Sequence, residues 1–193
     1  MRVRHWEAIA FFAAIIATLL TAGICADCEI KRAVREVEAE RDLLREQLDL
    51  YRDQLRIIDT RLAELEALLN LTSALEDTGM AGLGPALMTA GKVTGTDPYL
   101  LAAICAHESG WGTSRLAREK NNLAGLGAYD HSPGSAIRFE SREECVMFLA
   151  ELLRDRPGES LEEISWWYAS DPRWARKVAA CMKIIAENAK TWR

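Results

Sequence analysis

The chain has 193 residues, 49% of them apolar, and its 24 basic and 29 acidic side chains leave a net charge of −5. That length allows one domain with accessory segments or two small domains, and the apolar share is high enough for a packed core. An acidic balance without a basic run gives no support to nucleic-acid binding, and three scattered histidines with no paired Cys-x-x-Cys sets lead us to expect no metal site and no cofactor.

Residues 1–28 read as a membrane anchor or signal segment. Arg2 and Arg4 precede residues 8–26 (AIAFFAAIIATLLTAGICA), which carry no charge. At about 1.5 Å per residue this stretch reaches about 28 Å, close to the hydrocarbon core of a bilayer at roughly 30 Å. Positive charge ahead of the span predicts a single-pass protein with a cytoplasmic N-terminus and everything after Asp27 outside. A cleaved signal peptide is the competing reading, with Thr21, Ala22 and Gly23, or Ala26, as a weak cleavage site, which would leave the protein secreted. No clean lipobox precedes Cys25, because Ile24 stands where a small residue is wanted. The Ala-rich, mildly apolar span also resembles the signal-anchor-release segments of some phage endolysins.

Over residues 29–75 the composition switches to Glu, Arg, Asp and Leu. Apolar residues recur alternately every three and four positions through Ile30, Val34, Val37, Leu44, Leu48, Tyr51, Leu55, Ile58, Leu62, Leu65 and Leu69, with Arg41 the only charged interruption. A stripe sustained over so many heptads predicts a coiled coil and hence a homo-oligomer. Leu43, Leu50 and Ile57 widen the stripe, so a trimer or an antiparallel hairpin with another protein stays open beside the dimer. A rod of about forty residues would reach about 60 Å. Residues 76–84, with Gly79, Gly82 and Gly84, read as a linker.

From residue 85 to 193 no alternating strand of useful length appears, and helices are expected at 85–93, 98–107, 114–120, 141–154, 161–168 and 172–188. Asp97 followed by Pro98, and Asp171 by Pro172, pair an N-cap with a first-turn proline, and Ser141 with Glu144 forms a capping box. The expected fold class is therefore all-α: a transmembrane helix, a coiled-coil rod and a helical domain large enough to bury its own core. Trp166, Trp167, Trp174 and Trp192 are assigned to core area, although one of the adjacent pair 166/167 must face outward. Trp111, beside an acid, is the tryptophan assigned to a cleft. Cys25 and Cys28 suit an interchain disulfide or unpaired packing, and Cys105, Cys145 and Cys181 suit apolar helix faces. A Cys105–His131 peptidase would need a thiolate at a helix start, whereas Cys105 falls near a helix end.

The run His107-Glu108-Ser109-Gly110-Trp111-Gly112 puts one carboxylate at the end of the apolar helix PYLLAAICA, stopped by two glycines, and Asn121-Asn122-Leu123-Ala124-Gly125 follows nine residues later. A carboxylate half surrounded by apolar side chains and facing a loop suits a general acid. With Phe139-Glu140-Ser141-Arg142-Glu143-Glu144 and Tyr168-Ala169-Ser170-Asp171-Pro172-Arg173-Trp174-Ala175, these ordered blocks span about residues 94–187. They resemble the glucosaminidase family of peptidoglycan hydrolases, with its ALESGWG…NNLFGI, Y-x-S-x-x-E and Y-A-T-D-P-x-Y-A segments.

The resemblance implies a lysozyme-like fold and cleavage of the β-1,4 bond between N-acetylglucosamine and N-acetylmuramic acid in peptidoglycan, with Glu108 as proton donor and Tyr168 beside the scissile sugar. Trp111, Asn122 and Tyr129 are the expected substrate-binding residues. The family's second acid sits on a hairpin that is only residues 128–138 here, with Asp130 as its single carboxylate. Asp130 is thus the candidate for the second catalytic role, with Glu140 behind it and the substrate's own acetamido group as the alternative. Two other functions stay in view: a lytic transglycosylase with the same fold, and a non-catalytic scaffold joining membrane to wall.

Overall fold

In the computed structural model, residues 3–127, 135–156, 158 and 160–190 are described. Among the described residues seven helices follow in order: α1 (Val3–Leu75), α2 (Gly84–Thr94), α3 (Pro98–Ser109), α4 (Arg115–Lys120), α5 (Arg142–Asp155), α6 (Leu161–Tyr168) and α7 (Trp174–Lys190). Every assigned element among the described residues is a helix, as the sequence predicted. By contacts the chain divides into two units, residues 1–60 and 61–193.

Among its described residues the first unit is helix alone. It begins with a stretch long and apolar enough to cross a membrane. Its apolar residues, from Phe11 and Phe12 through Val37, Leu48 and Ile58, are exposed. Polar residues make pairs along the helix surface, such as Lys31 with Asp27 at 2.6 Å and Arg32 with Glu36 at 3.1 Å. Exposed pairs of this kind contribute only about 0.3–0.5 kcal/mol each.

The second unit is built around α3. Leu101, Ala102, Ala103, Ile104, Cys105 and Ala106 are all within 1% of full burial, the condition of a helix that is apolar all round. Helices α2, α5 and α7 pack against it, and α2 also lies on α5. Each fully buried Leu or Ile of this core contributes about 1.5–3 kcal/mol relative to exposure.

The end of α1 belongs to this unit, because Leu71, Ala74 and Leu75 are buried in its core. Of residues 76–84, whose glycines suggested a linker, 76–82 are a run of turns and Gly84 already opens α2, with Met80 and Leu83 also in the core. Gly79 serves contact rather than flexibility: a Cβ on it would lie 2.8 Å from the Trp111 carbonyl oxygen, and Arg142 donates to its carbonyl.

The caps fall where the side chains dictate. Asp97 accepts the Tyr99 N–H at 2.9 Å and Ser114 that of Ala117 at 3.2 Å. Ser141 accepts from Glu144 N–H at 3.1 Å, but the returning Glu144 carboxylate takes the N–H of Glu140 rather than that of Ser141. Helix α7 starts later than its proline suggested. Asp171 spends its side chain on the Arg173 N–H at 2.9 Å and its carbonyl on the Trp174 N–H, forming a turn ahead of the helix.

Candidate active site

Glu108 sits on the last turn of α3, where four devices end the helix and fix the acid. Gly110 takes a left-handed φ of 57° and returns its N–H to the α3 carbonyls. The Trp111 N–H bonds the Ala106 carbonyl at 2.8 Å. Buried Ser109 donates its hydroxyl to the Cys105 carbonyl and accepts the Gly112 N–H at 2.7 Å. Gly112, at φ 80°, then lies against the backbone of Gly79, where a Cβ would come within 2.4 Å of the carbonyl oxygen. The residues that follow the acid are thus a helix stop, and they hold one carboxylate at a defined place.

Two side chains and a glycine gather round that carboxylate. Trp174, buried at the start of α7, donates its indole N–H to Glu108 Oε1 at 2.6 Å. Tyr168, at the end of α6, stacks on Trp174 with ring centroids 5.1 Å apart and donates its hydroxyl to the Ala124 carbonyl at 2.8 Å. Burial, with the nearby Glu108 charge adding to it, pushes the Tyr168 phenol well above its ordinary range, so it stays a neutral donor. Gly125, at φ 64°, faces Oε2 of the acid.

Glu108 lines a cleft of about 450 Å³ together with Gly125, Arg156, Trp167, Tyr168 and Asp171. The Arg156 guanidinium lies 6.0 Å over the Trp167 ring, a cation–π arrangement on the cleft wall. Asp171 accepts from Lys177 at 2.7 Å and from Arg173, and these bonds hold its carboxyl well below the usual carboxylate range. A larger apolar groove of about 840 Å³ runs beside Leu65, Leu68 and Met88, but of its two carboxylates Glu64 is engaged by Lys92 at 3.0 Å and Asp97 by the Tyr99 N–H at 2.9 Å, and none of the groups around Glu108 reaches it.

Residues 84–187 match the family described as mannosyl-glycoprotein endo-beta-N-acetylglucosaminidase, Glucosaminidase for short. The chain belongs to the glucosaminidase family. It is also similar, at 30% identity over 151 residues, to two curated proteins of Streptococcus pneumoniae, from serotype 4 strain TIGR4 and from strain R6, both named "Putative endo-beta-N-acetylglucosaminidase". The match takes in 72% of this chain but only 22% and 21% of those proteins, so the chain spans about a fifth of the relatives' length.

Against this glucosaminidase frame the expected site residues divide. Glu108 and Tyr168 meet in the cleft. Trp111 does not line it; its ring packs partly buried against the core while its backbone serves the helix stop. Asn122 is 1% exposed and spends its amide on the chain itself, donating to the carbonyls of Leu126 at 2.8 Å and Ile137 at 2.9 Å and accepting from Leu126 N–H. It shapes the loop that presents Gly125. Glu140 is exposed at the start of α5 and is not a lining residue. Asp130 and Tyr129, like His131 and Trp192, lie outside the described residues.

Of the core tryptophans, Trp174 is buried as expected but also reaches the acid, Trp167 lines the cleft, and Trp166 faces outward at 89% exposure. The signal for Trp174 was its place in the Tyr168-to-Ala175 block. Cys105 and Cys145 are buried, and burial pushes both thiols up, away from the thiolate that a cysteine peptidase would need.

Proposed function

We propose that the chain is a peptidoglycan hydrolase that cleaves the β-1,4 bond between N-acetylglucosamine and N-acetylmuramic acid, with Glu108 as general acid. The observation that carries this reading is a half-buried carboxylate, held by a buried indole N–H, on the wall of a cleft that also presents aromatic and charged groups. Protonated Glu108 gives its proton to the glycosidic oxygen as the sugar C1–O bond breaks. Tyr168 keeps the wall of the site in register by tying α6 to the Ala124 carbonyl. Asp130 or the substrate's acetamido oxygen then meets the positive charge that develops at C1.

Mass spectrometry of digested sacculi tests the bond and the outcome together. Fragments ending in reducing N-acetylglucosamine are expected. Anhydromuramic ends would identify a transglycosylase instead, and reducing muramic acid would move the cut to the other linkage.

The apolar start of α1 supports a single span with its N-terminus in the cytoplasm and the glucosaminidase domain outside, where peptidoglycan lies. The exposed stripe from Ile30 to Leu69 supports self-association, since apolar seam residues stay wet on a lone helix. A fragment of residues 27–193 is therefore expected to sediment as a dimer or higher oligomer in analytical ultracentrifugation. A purely monomeric species would refute the pairing.

A further inference from the structure

Trp174 bonds only one of the two oxygens of Glu108, and an indole N–H can donate but never accept. The oxygen it meets, Oε1, is therefore an acceptor in every protonation state. When Glu108 is protonated, the proton is favoured on Oε2, because the carbonyl oxygen of a carboxylic acid accepts a hydrogen bond better than its hydroxyl oxygen does. That second oxygen faces Gly125: a Cβ there would stand 3.0 Å from Oε2, on a backbone whose φ of 64° already favours glycine. Trp174 cannot easily turn away, because it is 1% exposed and stacked on Tyr168, whose hydroxyl is committed to Ala124, one residue from Gly125.

We infer that Trp174 is a positioning residue that assigns the catalytic proton to Oε2 of Glu108, and that Gly125 keeps the approach to this oxygen open for the leaving sugar of an N-acetylhexosamine polymer. This rests on the reading of Glu108 as proton donor. As the C1–O bond breaks, its electron pair stays on the leaving oxygen, which takes the proton from Oε2; the hydroxyl of a water molecule completes C1, and the water's remaining proton restores the acid. While Glu108 becomes a carboxylate, the Trp174 N–H turns from a neutral hydrogen bond into a charge-assisted one, roughly twice as strong. The contact therefore strengthens between ground state and transition state, so its loss falls on kcat rather than on KM.

The test compares two substrates on the full chain. One is peptidoglycan glycan, whose sugar leaving group needs a proton. The other is a 2,4-dinitrophenyl β-glycoside of an N-acetylglucosamine oligosaccharide, whose leaving group departs without one. Trp174→Phe is expected to lower kcat on glycan about ten- to a hundredfold, less than the hundred- to ten-thousandfold of losing the donor itself. KM should be unchanged and the loss on the aryl glycoside less than about threefold on the same reasoning. Should Trp174→Phe fold poorly, benzothienylalanine at the same position keeps the ring's shape and removes only the N–H. Equal losses on both substrates, or no loss on either, would overturn the inference. Glu108→Gln run alongside separates the two levels: full glycan activity there would remove Glu108 from the mechanism, whatever Trp174 does.

Discussion

Glu108→Gln is expected to lower peptidoglycan cleavage by about a hundred- to ten-thousandfold, the usual cost of losing a positioned proton donor, while the folded domain melts close to the parent temperature. The amide is nearly isosteric and its oxygen still accepts the Trp174 N–H, so the wall of the cleft has no cause to rearrange. Only the transferable proton is gone. Turbidity loss of suspended sacculi reads the activity and circular-dichroism melting reads the fold. Clearing at the parent rate by a well-folded variant would take the acid role away from Glu108.

Gly112→Ala acts on stability instead. Its φ of 80° is costly for any residue with a Cβ, and the new methyl would stand 2.4 Å from the Gly79 carbonyl oxygen and 2.5 Å from its carbon. Backbone strain contributes about 1–3 kcal/mol and overpacking about 1–3 kcal/mol more. Neither neighbour can swing aside as a flexible side chain would, since both contacts are main chain. Denaturant unfolding should show a loss of about 2–5 kcal/mol on these terms, with activity falling as the end of α3 shifts. A change below about 1 kcal/mol would mean the two chain segments part more readily than their packing implies.

Much of the domain could be read from local chemistry. Asp97 before Pro98, Ser114 and Ser141 each cap the helix they were expected to start, and the unbroken apolar run 99–106 became the enclosed helix its composition demanded. Glu108 was legible for the same reason: glycines after an apolar helix leave its last acid at an edge. Longer-range geometry was not.

A tryptophan reads as apolar area in sequence, so nothing local revealed that the Trp174 N–H reaches an acid 66 residues away. Trp111 adjoins the acid along the chain, yet the turn made by Gly110 and Gly112 lays its ring, partly buried, against the core. Asn122 belongs to a block that suggests ligand contact, but all its observed bonds go to its own loop. Gly79, read as flexibility, is where two backbones touch.

The burial of Leu71, Leu75 and Met80 bears on what may be detached from what. The stretch that matches the family begins at residue 84, yet part of the hydrophobic interior is supplied from before that point. A fragment cut at 84 would open a trough in its own interior where Leu71, Leu75, Met80 and Leu83 had been. The smallest piece able to fold therefore starts inside α1, ahead of the boundary that homology alone would draw.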